Sequence, residues 1–314
     1  MMITDLILII IGITLLVKGS ELLVDSAADI AAKAGVSIIV IGLSIVAFGT
    51  SFPELVVGVD SSISGLSGIA LGNVIGSNII NICIVIGGAA LIRRIKVSPE
   101  IAHKDIPLTA AIVFLLLILS IDGVLDLLDG MILLLSSILF FYYIFRRAKS
   151  EGAQNKGEEA QNTSKAPRNL MKNIVMIVIG LLMAYVGGKI TVDSTVSIAS
   201  GLGISSYLIA ITLIAFGTNL PEIMISIVAS SKDKGDLILG NGLGSVNVNT
   251  LFIIGVCAVI RPIVVTNKLD IFISLAFCLL LIPLLYRDST LSKREGTILV
   301  LSYAAYVLYK VAAI

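Results

Sequence analysis

The sequence predicts an all-α integral membrane protein, with ten transmembrane helices arranged as two inverted five-helix repeats. Three observations predict it. The 314-residue chain is 57% hydrophobic and only 14% charged, with a mean hydropathy of +1.06, whereas soluble domains carry about a quarter charged residues. Its apolar stretches are long enough to cross a bilayer. Two sequence blocks also recur at a constant offset of 168 residues. A formal net charge of +1 gives no reason to expect a polyanionic partner such as nucleic acid.

Apolar windows place the spans near residues 3–32, 37–61, 69–92, 105–121, 124–146, 170–199, 205–230, 237–261, 267–286 and 293–313. The first becomes amphipathic after Lys18, with Glu21, Asp25 and Asp29 at intervals of four. It lacks the basic start and small-residue cleavage site of a signal peptide. The run 6–17 has a counterpart at 174–186, so it reads as a true span. Residues 147–169 are polar and read as a disordered linker or short surface helix between the first repeat, 1–146, and the second, 170–314. With that linker in the cytoplasm, only Lys189, Arg261, Lys268 and Lys310 lie outside, and the other 18 of the 22 Lys and Arg lie inside. An even number of spans then puts both termini on the extracytoplasmic side.

The duplication is read from two motifs. Ile45–Glu54, IVAFGTSFPE, matches Leu213–Glu222, LIAFGTNLPE, and Leu71–Asn81, LGNVIGSNIIN, matches Leu239–Asn249, LGNGLGSVNVN. Gly19 to Asp25 echoes Gly187 to Asp193, and Gly35 echoes Gly203. Each repeat holds five spans, an odd number, so the second copy enters the membrane upside down. Inverted repeats mark secondary transporters, whose sites lie near the midplane between the repeats.

Glu54 and Glu222 stand deep in the second and seventh spans, where an ionisable group is costly and usually functional. Pro53 and Pro221 have no N–H, so the carbonyls of Gly49 and Gly217 lose their helical donor. Freed carbonyls at this depth need another partner. A hard cation serves, since calcium takes about six to eight oxygen ligands. Two glutamates balance its charge, and Thr50, Ser51 and Thr218 offer neutral oxygens. An ordinary proline kink with a hydrogen-bonded glutamate is the plainer alternative, and its recurrence in both halves weighs against it. In the second motif, Asn73, Ser77 and Asn81 share one helical face, as do Asn241, Ser245 and Asn249. Close helix packing on the accompanying glycines and ion-facing amides are both compatible with that pattern.

Other signals are weaker. Gly65-Leu66-Ser67-Gly68 resembles a serine-hydrolase motif, but His103, the single histidine, falls on the opposite side, so no base is at hand and enzymatic activity is not expected. Cys83, Cys257 and Cys278 lie in apolar stretches and read as small buried hydrophobes. Asp25 and Asp193 recur near span ends, where a solvated role and a vestibule role are equally open.

At its paired motifs the sequence resembles the calcium/cation antiporter superfamily, specifically the prokaryotic sodium/calcium exchangers, over nearly the whole chain. The resemblance implies a midplane cation cluster from the second, third, seventh and eighth spans. Glu54 and Glu222 would be shared calcium and sodium ligands. The carbonyls of Thr50 and Thr218 would face calcium, and those of Ala47 and Ala215 would face sodium. Ser51, Ser77 and Ser245 would line sodium sites, Asn81 would help form the centre, and the first and sixth spans would slide together. Asn219 stands where many such exchangers have serine, and Asn249 where well-studied members have aspartate. The implied function is antiport of calcium against a monovalent cation, sodium first, by alternating access. Proton or potassium coupling and a passive uniporter or channel are the alternatives. No cofactor is implied; the partners are calcium, sodium and the bilayer, and one chain suffices.

Overall fold

The computed structural model describes residues 2–159, 170–202, 215–286 and 289–312. The helices in chain order begin with α1, Met2–Ala34, and α2, which runs from Ile38–Ile41 through a π-helical turn, Gly42–Val46, to Ala47–Thr50. Helix α3 is Phe52–Ile63, and α4 joins Ser67–Ile80, the π turn Asn81–Ile86 and Gly87–Ile92. Helix α5 is the π turn Ile101–Asp105 followed by Ile106–Leu119, and α6 is Leu127–Glu159. The second half holds α7, Leu170–Gly201, the short α8, Ala215–Gly217, and α9, Leu220–Ser231. It continues with α10, made of Gly235–Asn247, the π turn Val248–Ile253 and Ile254–Ile260, then α11, Lys268–Tyr286, and α12, Lys293–Ala312.

Among the described residues, seven helices are long and apolar enough to cross a membrane, and the α2–α3 pair makes eight if its 45° bend lies within one span. The remaining predicted spans fall on α9, only 12 residues long, and on α12, which is 20 residues long but carries Lys293, Arg294, Glu295 and Lys310. The segment before α8, residues 203–214, lies outside the described residues, and with it Gly203 and the start of the predicted seventh span. Helix α6 runs on through Glu159 into the predicted linker; residues 160–169 lie outside the described residues.

Proline accounts for the two broken helices. Pro53 and Pro221 occupy the first turn of α3 and α9, where a missing N–H costs nothing. The residues before those helices, Ser51 (φ −77°, ψ 6°) and Asn219 (φ −89°, ψ 2°), leave helical geometry. The duplication is visible in the elements themselves, since α3 and α9 begin and end 168 residues apart.

Helices α1 and α7 pack antiparallel through glycine. Gly12 meets Gly187, and Gly19 meets Gly180, so close that a Cβ on Gly19 would stand 2.7 Å from the Gly180 carbonyl oxygen. Small residues permit such approach where lipid offers no hydrophobic drive to associate. Helices α4 and α10 form the centre, with 72% and 78% of their apolar windows buried, against 28% for α6 and α7 at the periphery. Backbone contact brings α10 onto α2, because a Cβ on Gly240 would lie 3.0 Å from the Gly42 Cα, and one on Gly244 would lie 2.6 Å from the Ala47 Cβ.

Among the described residues, four short strands clip the halves together. Strand β1 (Ile95–Lys96) pairs antiparallel with β4 (Thr290–Leu291), with Ile95 opposite Leu291; β2 (Val124–Leu125) pairs likewise with β3 (Ile263–Val264), with Leu125 opposite Ile263. Helix α5 separates β1 from β2.

Candidate cation site

The breaks before α3 and α9 place a carboxylate at the third position of each new helix, Glu54 and Glu222. The positive end of a helix dipole suits an anion there. Both side chains are buried, at 0% and 1% exposure, and each lies within electrostatic range of the other. No ion pair among the described residues includes either.

Each glutamate faces a threonine of the opposite half, the Thr218 hydroxyl beside Glu54 and the Thr50 hydroxyl beside Glu222. Ser77 donates to Glu54 Oε1 at 3.3 Å, and Asn219 Nδ2 donates to Ser77 at 3.1 Å. On the other side, Thr50 Oγ1 lies 3.4 Å from Ser245 Oγ and 3.3 Å from Asn241 Oδ1. The structure thus brings together Glu54, Glu222, Thr50, Thr218, Ser77, Ser245 and Asn219. All but half-buried Thr218 are buried.

Asn81 and Asn249 head or occupy the π turns of the two central helices, and both are buried. A widened π turn inside a helix is often found at functional sites. Asn81 and Asn249 have no protein partner for either end of the amide, and Ser51 Oγ, Glu54 Oε2 and Glu222 Oε2 have none either. An unsatisfied buried polar group costs roughly 1–3 kcal/mol, so an oxygen-rich cluster with two carboxyl groups fits a hard cation as cargo. Ala47 is buried, and its carbonyl accepts both the Ser51 N–H at 3.0 Å and the Thr50 hydroxyl at 3.2 Å. The side chain of Ala215 lies outside the described residues.

Four described residues join the site that the motifs did not single out as ligands. Asn241 donates to the Glu222 carbonyl and to Ser226 Oγ, both at 3.4 Å, and so buttresses the site; its place in the repeated motif was the available signal. Ser226 corresponds to Gly58 in the other half. Asn78 Nδ2 donates to Thr250 Oγ1 at 2.9 Å, tying α4 to the π turn of α10, without a repeated counterpart.

Among the described residues, two clefts reach the cluster. One, of about 280 Å³, runs from Lys189 and Asp193 to Thr218, Pro53 and Pro221. The other, of about 220 Å³, runs from Lys310 and Tyr306 to Asn73 and Ser77.

A family profile described as sodium/calcium exchanger protein matches residues 4–146 and 172–312. The chain belongs to the sodium/calcium exchanger family. Within that family it is 29% identical to sodium/calcium exchanger MaX1 of Methanosarcina acetivorans, over 98% of this chain and 99% of that one. It is 30% identical to the inner membrane protein YrbG of Escherichia coli, over 81% and 79% of the two chains. The structure of the sodium-calcium exchanger NCX_Mj soaked with zero Na+ and Ca2+ superposes with a TM-score of 0.85 at 30% identity, covering 100% of this chain and 99% of that one. The exchanger-family match covers both motif pairs, and an exchanger is a transporter of ions through a membrane.

Proposed function

We propose that this member of the family is a secondary active antiporter that exchanges calcium for a monovalent cation, sodium first, at one site between two inverted repeats. The observation that carries the proposal is the pair of buried glutamates, Glu54 and Glu222, one behind the break in each half, each with an Oε2 that has no protein partner. Two desolvated carboxylates without a protein cation call for two positive charges, which one calcium or two monovalent ions supply. Cations competing for the same carboxylates give exchange rather than leak, provided the helices switch only when the site is filled.

Ten spans in two inverted units are supported by the antiparallel packing of α1 on α7, which correspond at the 168-residue offset. They are also supported by the strands, since β1 and β3 correspond but pair at opposite ends of α5. The basic residues put the linker in the cytoplasm and both termini outside. In that orientation both clefts open outward. On the inner side Lys232, after α9, pairs with Asp25 of α1 at 2.6 Å, so this is an outward-facing arrangement. Site ligands are Glu54, Glu222, Ser51, Asn81 and Asn249, with Thr50, Thr218, Ser77, Ser245 and Asn219 holding the carboxylates.

The test is radioactive calcium uptake into proteoliposomes under an outward gradient of sodium, then of protons, then of potassium. Uptake driven by the sodium gradient is expected. Uptake driven only by another gradient would reassign the counter-ion, and uptake indifferent to all three would reject antiport in favour of a passive path.

A further inference from the structure

We propose that the hydrogen bond from Asn78 to Thr250 is a spacer that sets the separation of the two central π turns, and with it the size of divalent cation that the site accepts. The inference rests on the cation-site reading above and adds a specificity-determining pair to it. Asn78 Nδ2 donates to Thr250 Oγ1 at 2.9 Å, and both residues are fully buried. Their place gives the bond its leverage. Asn78 stands three residues before Asn81, and Thr250 directly follows Asn249. The bond therefore joins α4 to α10 next to both amides that lack a protein partner.

A second contact fixes the seam between the two helices. A Cβ on Gly242 would stand 2.9 Å from Ile86 Cγ1 and 3.4 Å from the Asn81 carbonyl oxygen. As α4 advances from Asn78 to Ile86, its neighbours on α10 run back from Thr250 to Gly242, so the helices are antiparallel. Asn81 on α4, and Asn247 and Asn249 on α10, lie between these two contacts along the chain. One end of the seam is closed by tight packing on a glycine. The other end is held by one directional bond.

The repeat shows what that bond adds. At the 168-residue offset Asn78 answers to Val246, and Thr250 answers to Ile82. Val246 and Ile82 are fully buried as well. The counterpart positions are thus apolar, and packing α4 on α10 does not demand an amide and a hydroxyl. Burying polar groups is costly, the more so because Asn78 Oδ1 has no protein partner. In return the pair gains direction and length. Apolar burial is non-directional, whereas a hydrogen bond holds its heavy atoms within about 2.7–3.2 Å. Sites choose among hard cations by cavity size, ligand number and flexibility, and a fixed separation of the π turns acts on the first and the last.

Isothermal titration of the full-length protein in detergent, with calcium and with the larger barium ion, reads the preference as a ratio of dissociation constants. The combined variant Asn78→Val, Thr250→Ile makes the pair like its counterpart. Replacing both partners of a buried hydrogen bond by apolar groups is nearly neutral for stability, so its unfolding temperature is expected to stay near that of the wild type. Its preference for calcium over barium is expected to fall about fivefold, the worth of one neutral hydrogen bond. Thr250→Ser keeps the hydroxyl and is expected to keep the wild-type ratio. Asn78→Ala with Thr250→Val is the second apolar pair, with the same expectation, should the first not purify as a single species. No preference in the wild type, a ratio unchanged in the apolar pair, or a ratio lost as fully in Thr250→Ser would overturn the spacer and leave the cation site standing. A wild type that titrates with neither ion would overturn the cation site, and the spacer with it.

Discussion

Gly19 on α1 lies against the backbone of Gly180 on α7, so close that a Cβ on Gly180 would stand 2.7 Å from the Gly19 carbonyl oxygen. Gly12 and Gly187 make the second contact of the pair. Because Gly12 and Gly19 correspond to Gly180 and Gly187 at the 168-residue offset, each helix meets its own counterpart running the other way. Glycine at all four places leaves a smooth backbone surface on which two helices can move together.

That surface makes the first prediction. Gly180→Val puts two methyl groups into backbone, and overpacking of this kind costs about 1–3 kcal/mol. The variant should unfold at lower temperature in detergent and exchange calcium more slowly. Gly201→Val, at the exposed end of the same helix with nothing within 4 Å of a Cβ, is the control. Equal unfolding temperatures for the two variants would refute the close contact.

The carboxylates give the second. Removing one charge from a buried cluster that must match two positive charges leaves it uncompensated, at a cost of about 3–5 kcal/mol. Glu54→Gln and Glu222→Gln should each weaken calcium binding by at least about a hundredfold and abolish exchange. Isothermal titration with calcium reads the first effect and proteoliposome uptake the second. Near-normal exchange in both variants would remove these residues from the site.

The reciprocal threonines give the third. Thr50→Val and Thr218→Val keep shape but delete the hydroxyl that stands beside each carboxylate from the opposite half. A hydrogen bond to a charged group contributes about 1.5–3 kcal/mol. Each variant should therefore bind calcium at least about tenfold more weakly, with the fold intact by thermal unfolding. If both valine variants titrate like the wild type, the hydroxyls do not hold the carboxylates.

Much of this site was legible because its parts are costly outside a function. A glutamate behind a proline, buried in lipid-spanning sequence and present twice at one offset, would be a burden to any chain that did not use it. Glu54, Glu222, Thr50 and Thr218 come together as that pattern implies. What was not legible lacks a counterpart. Ser226 answers to Gly58, and Thr250 to Ile82, so the repeat points to neither. The π turns under Asn81 and Asn249 were hidden as well, since widening a turn by one residue demands no particular side chain. The end of α6 differs from its sequence-based boundary for another reason. Polar composition past residue 146 suggests a linker, yet Arg147 and Glu151 pair one turn apart at 3.0 Å, and such pairs carry a helix beyond the membrane edge.

Lys232 and Asp25 give the fourth prediction. Their bond joins α1 to the end of α9 at 2.6 Å. The corresponding Asp193 pairs instead with Lys189 of its own helix, at 3.5 Å, beside the cleft of about 280 Å³. The latch is one-sided and exposed, so it contributes about 1 kcal/mol or less and fades with salt. Lys232→Ala should raise hydrogen exchange of the α9 C-terminal turn by up to about fivefold at low salt, with the difference shrinking at high salt. Identical exchange at low salt would dispose of the latch.

Asn249 gives the last. It sits at 1% exposure in the α10 π turn, with neither end of its amide bonded within the protein. Asn249→Asp adds a third carboxylate to the two already present. One calcium then leaves a negative charge uncompensated, whereas three sodium ions match the cluster. The variant should be less stable than the wild type without cations, because an unpaired buried charge is heavily penalised, and sodium should restore its unfolding temperature. Calcium efflux should depend more steeply on sodium concentration than in the wild type. The two readouts separate a misfolded variant, which sodium would not rescue, from a recharged site. Superimposable sodium activation curves in a variant that folds would mean that Asn249 does not face the transported ions.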